Sequence, residues 1–326
     1  MFQHAASKTK PVVQSVCLPP FAKSREGWGT LIVVVPSEGR ATSSVCKREI
    51  MEFQTDKANQ FRQLHRGPGV LVLPNAWDVA SARIFEEAGF AAIATTSAGI
   101  AFSLGYPDGQ RISREEMIAR IGRIVRAVKV PVSADIEAGY GSSAEDAART
   151  TRELIDAGAI GMNLEDASHR RDQPLLSLQL AVEKIKAVRE AAAQLRAPIV
   201  VNARTDIYML PGGNPDADYA EAVRRLVAFR DAGADCVFVP GLKDAETIGR
   251  LVRAVECPLN ILAVPGAPSI AELEKLGVAR LSVGSGFMRA TLGLLRRAAE
   301  ELKSAGTCGV LADAMPYADV NKMLGG

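Results

Sequence analysis

Short runs of β-branched and apolar residues alternate with longer stretches of helical periodicity from residue 70 onward. The apolar runs predict eight strands, at Val70–Pro74, Ala91–Thr96, Val130–Asp135, Gly161–Glu165, Pro198–Ala203, Cys236–Val239, Leu259–Val264 and Arg280–Val283. The periodic stretches predict helices between them, at Asp78–Ala88, Arg114–Val128, Ala144–Ala157, Ser177–Leu195, Ala217–Ala232 and Asp244–Val255. Eight consecutive βα units favour an α/β fold of the (β/α)₈ TIM-barrel type over an open doubly wound sheet.

The first fifty residues differ in composition from the rest, with basic residues, Ser and Thr, and no acid before Glu26. Three interpretations fit such a segment: a transit peptide, a disordered extension, or sequence upstream of a start at Met51. We therefore predict three parts, with residues 1–55 a disordered or non-native extension, residues 56–305 the barrel, and residues 306–326 a C-terminal tail.

Composition excludes several classes of function. The 39 basic and 37 acidic residues leave a net charge of +2, which argues against a nucleic-acid partner. No apolar run approaches the roughly 18–20 residues of a membrane span, so no membrane partner is expected. The five cysteines show no C-x-x-C spacing, which predicts free thiols in a reducing interior. We expect a cytoplasmic protein, with organellar import through the N-terminal segment as the alternative.

Acidic residues follow neighbouring predicted strands. Asp135 and Glu137 end one strand at spacing i, i+2, which in an extended chain places both side chains on one face, and Glu165 ends the next strand. Residues at the carboxyl ends of barrel strands build the active site. Three carboxylates there predict a site for Mg²⁺, with Mn²⁺ as the substitute. The alternative is that the acids cap the following helices, which explains Asp166 but not the paired Asp135 and Glu137.

Other polar residues at strand ends allow two interpretations each. Arg204 suits bidentate recognition of a substrate carboxylate, or a salt bridge to a neighbouring acid. The segment Thr96–Gly99 fits an anion cradle or a plain tight turn. His169 fits an acid/base group on a mobile loop, or a solvated surface histidine. Asp108 is by composition an ordinary turn residue.

At these residues the chain resembles the isocitrate lyase/phosphoenolpyruvate mutase superfamily over roughly residues 60–300. The resemblance rests on five motifs: Leu73-Pro74-Asn75-Ala76-Trp77-Asp78, Thr96-Ser97-Ala98-Gly99, Asp135-x-Glu137-x-Gly139-Tyr140-Gly141, Leu164-Glu165-Asp166 and Ala203-Arg204-Thr205-Asp206. It implies a (β/α)₈ barrel whose last helix is exchanged between subunits of a homo-oligomer, a dimer of dimers. It also implies Mg²⁺ and a small 2-oxo acid substrate.

The resemblance also assigns residues to roles. Asp135 matches the most direct metal ligand, and Glu137 and Glu165 match the second and third acids, with Glu137 in place of the usual aspartate. Arg204 matches the group that holds the substrate carboxylate. Ser97 and Ala98 match the backbone amides that hold the same carboxylate. Asp108 matches an acid on the loop after the second strand, which makes it a candidate catalytic residue. Asn202, on the strand that ends in Arg204, is a candidate substrate-binding residue.

The loop after the fourth strand departs from the lyases of this superfamily. Those lyases carry a Lys-Lys-Cys-Gly-His signature there, whereas this chain reads Ala-Ser-His-Arg-Arg-Asp over residues 167–172. The acid catalysis that the cysteine supplies is therefore absent.

We predict a Mg²⁺-dependent carbon–carbon lyase or decarboxylase that acts on an oxaloacetate-like 2-oxo acid through a metal-stabilised enolate. Solvent or His169 would then supply the proton. One alternative is hydrolysis or rearrangement of a phosphonate such as phosphonopyruvate, with Arg170 and Arg171 near the phosphonyl group. Another is a non-catalytic 2-oxo-acid binder.

Overall fold

Parallel β-strands form a barrel in the computed structural model of this chain, which describes residues 54–325. The strands are β1 (Leu71–Leu73), β2 (Asn75–Ala76), β3 (Ile93–Thr95), β4 (Val132–Asp135), β5 (Gly161–Glu165), β6 (Val200–Arg204), β7 (Cys236–Val239), β8 (Leu259–Leu262) and β9 (Arg280–Ser282). They lie in the order β1-β9-β8-β7-β6-β5-β4-β3-β2, and each pairs with its neighbours in parallel. The predicted barrel is confirmed.

The barrel closes through a first strand that is interrupted by a proline. β1 pairs with β9 and β2 pairs with β3, and only Pro74 separates β1 from β2. Proline has no N–H to donate to a strand ladder, so the ladder is interrupted there. The Pro74 carbonyl still accepts a hydrogen bond from the Ala94 N–H at 2.9 Å. The nine strands are thus the eight of the sequence prediction, with the first in two pieces.

Helices follow the strands and cover the barrel. The first, α1, spans residues 54–64 and precedes β1. The others are α2 (Val79–Glu87), α3 (Ser97–Ser103), α4 (Arg114–Ala127), α5 (Ala144–Asp156), α6 (Leu178–Gln194), α7 (Pro215–Asp231), α8 (Ala245–Val255), α9 (Ile270–Lys275), α10 (Gly286–Ala305) and α11 (Tyr317–Met323). The six predicted helices agree with these bounds to within two residues at either end.

Glycines end several helices as their sequence positions indicate. Gly89, Gly158, Gly233 and Gly277 have φ values of 85°, 92°, 105° and 83°. A side chain is strained at such φ values, so glycine is the residue that turns the chain from the helix towards the next strand. The strand that follows each of these glycines therefore begins a few residues after it.

The inside of the barrel is polar rather than packed with branched apolar residues. The apolar core lies mainly between the strands and the outer helices, and a smaller cluster around Phe61 and Leu73 lies beside α1. Buried polar residues line the inner wall instead: Asn75, Thr95, Ser133, Asn163, Asn202, Asn260, Arg280 and Ser282. TIM barrels usually fill this volume with Val, Ile and Leu. The inside of this barrel can therefore accommodate polar groups.

Two segments, one before and one after the barrel, were predicted from the sequence as an extension and a tail. The predicted extension, residues 1–55, lies almost wholly outside the described residues. Residues 306–326, predicted as a tail, contain a 3₁₀ turn at Gly309–Asp313 and the helix α11. Within residues 54–325, no helix combines the length and apolar composition that crossing a bilayer requires.

Candidate active site at the carboxyl end of the barrel

A cavity of about 320 Å³ opens at the carboxyl ends of the strands and continues into the barrel. Its wall includes Ser97, Ala98, Asp108, Asp135 and Arg204 from the predicted site. Asn202 also lines it. These residues come from three different βα units, those of β3, β4 and β6, and parallel strands bring them together because all their carboxyl ends meet at one mouth.

Asp135 is the last residue of β4 and is held by three hydrogen bonds. Its Oδ2 accepts from the Ser97 N–H at 2.9 Å and the Ser97 hydroxyl at 2.7 Å, and its Oδ1 accepts from the Asn163 Nδ2 at 2.9 Å. Thr96–Gly99 forms the start of α3, where the Thr96 hydroxyl caps the helix by accepting a hydrogen bond from the Gly99 N–H. Because this segment begins a helix, the tight-turn interpretation is wrong. The Ser97 amide that was predicted to hold a substrate carboxylate here holds a carboxylate of the protein.

Glu137 lies beyond the end of β4, in a tight turn. Its φ of 50° is left-handed, so the predicted alternation of side chains along an extended chain stops at Asp135. The side chain is nevertheless buried at the mouth, where it accepts hydrogen bonds from the Gln110 N–H at 2.5 Å and the Tyr140 hydroxyl at 3.1 Å. Burial, reinforced by the nearby Asp135 and Asp108, raises the pKa of Glu137 to about 7.

Glu165 and Arg204 form a buried ion pair. The Arg204 Nη1 lies 2.9 Å from the Glu165 Oε2, and its Nη2 donates to the Asp206 Oδ2 at 2.9 Å. Burial raises the pKa of Glu165 well above its usual value, and Arg204 counteracts only part of that effect. Burial disfavours the charge of Arg204, but Glu165 and Asp206 outweigh it and raise its pKa. The salt-bridge interpretation of Arg204 is thus confirmed for the protein without substrate.

His169 completes a cluster with the two glutamates. Its Nε2 lies 3.7 Å from the Glu137 Oε2 and 3.7 Å from the Glu165 Oε1. One ligand atom from each of the three residues lies within 4.8 Å of the others. Burial lowers the pKa of His169, so the imidazole is neutral at pH 7 and able to offer a lone pair. His169 is 28% exposed and lies at the mouth, so it is more than a solvated surface residue.

The predicted metal triad overlaps this cluster without coinciding with it. Glu137 and Glu165 belong to both, whereas the Asp135 carboxylate is engaged by Ser97 and Asn163. Asp108 stands at the rim of the cavity, where loss of hydration and the nearby Asp135 raise its pKa. The site thus offers two carboxylates and an imidazole in one cluster, with further acids beside it.

Asn163 and Asn202 extend the site into the barrel, and of these only Asn202 was predicted. The Asn202 Nδ2 donates to the Asn163 Oδ1 at 2.9 Å, and Asn163 in turn donates to Asp135. Asn163 lies two residues before Glu165 on β5, so the alternation of a strand places both on the inner face. That spacing was the signal that could have identified it.

Lys184 supports the turn that carries Glu137, although no motif indicated it. It lies on α6, is 1% exposed, and its Nζ donates to the Ala138 carbonyl at 2.7 Å and the Gly141 carbonyl at 2.8 Å. A buried ammonium group is costly unless its donors are satisfied, and here the two carbonyls on either side of Gly139 satisfy two of them. The contact ties the outer helix to the mouth of the barrel.

Comparison with known proteins agrees with this geometry. Residues 61–303 match the phosphoenolpyruvate phosphomutase family. A solved structure from Burkholderia cenocepacia, described provisionally as a lyase/mutase, is 41% identical with a TM-score of 0.79, and the match covers 84% of this chain and 98% of that one. The 2-methylisocitrate lyase of Bacillus subtilis is 33% identical over 212 residues, which are 63% of this chain and 67% of that protein. Oxaloacetate acetylhydrolase, solved with its product oxalate, is 26% identical with a TM-score of 0.73, over 83% of this chain and 94% of that one.

Proposed function

This chain belongs to the phosphoenolpyruvate phosphomutase family, within the isocitrate lyase/phosphoenolpyruvate mutase superfamily, and we propose that it is a Mg²⁺-dependent carbon–carbon lyase or decarboxylase. Its proposed substrate is a small 2-oxo carboxylate of the oxaloacetate type. The observation that carries this proposal is the cluster of Glu137, Glu165 and His169 beside a polar cavity that also contains Asp135 and Arg204.

The charges at the mouth fit a divalent cation. Five carboxylates gather at the mouth of the barrel, namely those of Asp108, Asp135, Glu137, Glu165 and Asp206. Burial, and after it the like charges of neighbouring acids, raises the pKa of Glu137 and of Glu165, and a bound cation would offset both effects. Carboxylate oxygens are ligands that both Mg²⁺ and Mn²⁺ prefer, and the imidazole of His169 is better suited to Mn²⁺. A bound divalent ion would act as a Lewis acid on the 2-oxo group.

The groups proposed to bind the substrate carboxylate are at present bonded to acids of the protein. The Ser97 N–H donates to Asp135, and Arg204 pairs with Glu165 and Asp206. A cation that draws Asp135 and Glu165 towards itself would weaken those contacts. Ser97, Ala98 and Arg204 would then be available to a substrate carboxylate, with Asn202 beneath it. Binding of metal and binding of substrate would therefore assist one another.

Decarboxylation needs few further groups. The electrons of the broken carbon–carbon bond move into the 2-oxo group, CO₂ departs, and the resulting enolate carbon takes up one proton. Solvent at the open mouth or His169 is the proposed proton source, since no cysteine lies in residues 167–172. His169 can donate a proton only when its ring does not hold the metal. Asp108, at the rim of the cavity, is proposed to orient the substrate or a water molecule beside it.

The test is a panel of 2-oxo acids assayed with the full-length protein. Oxaloacetate, other 2-oxo dicarboxylates and pyruvate are incubated with Mg²⁺, with Mn²⁺ and with excess chelator, and the products are identified by NMR. We expect turnover that requires metal and that Asp135→Ala abolishes. Asp244→Asn, which changes an exposed acid at the start of α8, is the matched control. Full activity in excess chelator would refute the metal role.

A second candidate function is cleavage or rearrangement of a P–C bond. It is favoured by the matched family, that of a phosphoenolpyruvate phosphomutase. The predicted role of the Arg170-Arg171 pair gains little support, because the exposed Arg170 donates to Asp172 at 2.6 Å. Phosphate release from phosphonopyruvate without turnover of any 2-oxo acid would support this candidate. Stabilisation by these ligands with no product from any of them would instead indicate a non-catalytic binder.

We further propose that α10 is exchanged between subunits of a homo-oligomer. The helix has 20 residues, of which only Met288 is buried in the single chain. Its exposed apolar residues are Phe287, Leu292, Leu294, Leu295 and Leu302. An apolar surface of this kind normally contacts another subunit. Light scattering should give a tetramer, and Leu295→Glu should reduce it to smaller species.

A further inference from the structure

Arg280 lies at the floor of the cavity, far below the residues of the proposed reaction. It is the first residue of β9, and Gly284 at the mouth follows four residues later, roughly 13 Å higher along an extended chain. Arg280 is 2% exposed, yet its side chain lines the same cavity of about 320 Å³ that opens at Asp108 and Arg204. The cavity therefore connects the mouth to a buried guanidinium.

Several buried polar atoms around this floor have no hydrogen-bond partner among the described residues. They are the Nε and Nη1 of Arg280, the hydroxyl of Ser133 and the Oδ1 of Asn202, and all three residues line the cavity. A buried donor without a partner costs about 1–3 kcal/mol, and more when it is charged. Two donors of one cation and a hydroxyl thus lack partners on residues that line the same cavity.

Among residues 54–325, no acid forms an ion pair with Arg280, although Asp135 raises its pKa through its charge. The neighbouring Cys236 thiol is fully buried, and burial raises its pKa so that it remains neutral. His65 is neutral as well, because burial and the proximity of Arg280 lower its pKa to about 4. Asp235, the acid next to Cys236 in the chain, is held by Arg62 at 2.9 Å and by Arg189. Asp135 is at the mouth, bound to Ser97 and Asn163.

The guanidinium nevertheless stays charged at neutral pH. Burial lowers the pKa of Arg280 only to about 10, and the ring centroid of Phe61 lies 6.0 Å from the Cζ. An aromatic face offsets a small part of the cost of burying a cation. An isolated buried charge is otherwise unfavourable by a wide margin.

We infer that the lower part of the cavity is an anion site, in which Arg280 donates hydrogen bonds from Nε and Nη1 to a monovalent anion of the size of a halide or a carboxylate. Ser133 donates its hydroxyl hydrogen to the same anion, and a water molecule bridges it to Asn202. The site is separate from the metal cluster and does not depend on the reaction proposed above.

Anomalous diffraction from bromide tests this inference directly. Crystals of the full chain grown without halide are soaked in sodium bromide, and the expected result is an anomalous peak within about 3.5 Å of the Arg280 guanidinium. Peaks confined to the surface, with ordered water on Nε and Nη1, would overturn the inference. A second soak adds formate, a monovalent carboxylate, to the bromide. Loss of the peak would identify a carboxylate as the preferred occupant, and retention would identify the halide; either supports the anion site.

Solution measurements provide an independent readout. The melting temperature of the wild type should rise by a few degrees when sodium bromide replaces sodium gluconate at equal ionic strength. Arg280→Met, which removes the charge and keeps much of the apolar stem, should lose this rise. Arg253→Met, at an exposed position on α8, should keep it. An equal rise in all three proteins would contradict the site. If Arg280→Met does not fold, the bromide peak in the wild type decides.

Discussion

Glu165 and Arg204 face each other on neighbouring strands, β5 and β6, and their side chains meet at 2.9 Å between Oε2 and Nη1. The pair joins the two halves of the proposed site, because Glu165 belongs to the cluster of possible metal ligands and Arg204 is the group proposed to bind the substrate carboxylate. A change in either residue therefore affects the other, and metal affinity and substrate affinity should vary together.

Replacing Arg204 should weaken both functions. Arg204→Met removes the partner of a buried carboxylate, and we expect kcat/KM to fall by about 100-fold or more. The unfolding free energy should fall by at most about 3 kcal/mol, because Glu165 can take up a proton when its partner is gone. Arg204→Lys restores the charge without the planar fork and should recover stability more than activity. Steady-state kinetics and urea unfolding measure the two effects, and unchanged kinetics would contradict the assignment.

Metal affinity should depend on pH through Glu137. A metal needs the ionised carboxylate, and the pKa of Glu137 is about 7, so affinity should rise roughly tenfold per pH unit below 7 and level off above it. Isothermal titration with MnCl₂ between pH 5.5 and 8.5 measures this dependence. Glu137→Gln should weaken binding and flatten the profile between pH 6 and 7. A wild-type profile already flat over that range would rule out Glu137 as the controlling group.

The stability of the metal-free protein should follow the opposite trend. The pKa of Glu137 is higher in the folded state than the ordinary 4.5, so the folded state binds the proton more tightly. Stability is therefore greatest below about pH 4.5 as far as this group is concerned, and it is lost as pH rises from 4.5 to 7. Between the ordinary pKa of 4.5 and the folded-state pKa of about 7, this contribution amounts to roughly 3 kcal/mol. Urea unfolding of wild type and Glu137→Gln across this range should show that only the wild type loses this contribution.

Lys184 should act on the site from a distance. Lys184→Met leaves the Ala138 and Gly141 carbonyls without their donor, so the turn bearing Glu137 should lose its fixed conformation. We expect metal affinity and kcat/KM to fall by about tenfold while the circular dichroism spectrum stays that of the wild type. Lys186→Met, at an exposed position two residues along the same helix, is the control. Equal behaviour of the two variants would show that Lys184 does not position the turn.

Asn163 should control the position of Asp135. Asn163→Ala removes the 2.9 Å hydrogen bond to the Asp135 Oδ1 and leaves Asn202 without its acceptor. The expected loss of stability is about 1–3 kcal/mol, accompanied by a rise in KM for the metal-dependent reaction. Asn321→Ala on the exposed face of α11 should change neither quantity. Thermal unfolding and kinetics at varied metal concentration distinguish the two.

Much of the barrel mouth was predictable because strand ends are local features. The β5 and β7 bounds agree with prediction to the residue, and Asp135, Glu165 and Arg204 all lie where strand periodicity places them. Glu137 was placed at the mouth by an alternation that does not reach it, since the chain turns after Asp135 and a left-handed residue redirects the side chain. A correct location was thus reached through a wrong local geometry.

The sequence by itself determined the barrel, the order of its strands and the acidic character of its mouth, because hydrophobic periodicity and glycine stops are set by neighbouring residues. Only the tertiary structure decided which acids meet. His169 approaches Glu137 and Glu165 because its loop folds back over the mouth, and Lys184 reaches the turn from an outer helix 46 residues away from Ala138. Burial then raises the pKa values of the two glutamates, and burial is a property of the packed barrel that residue spacing does not encode.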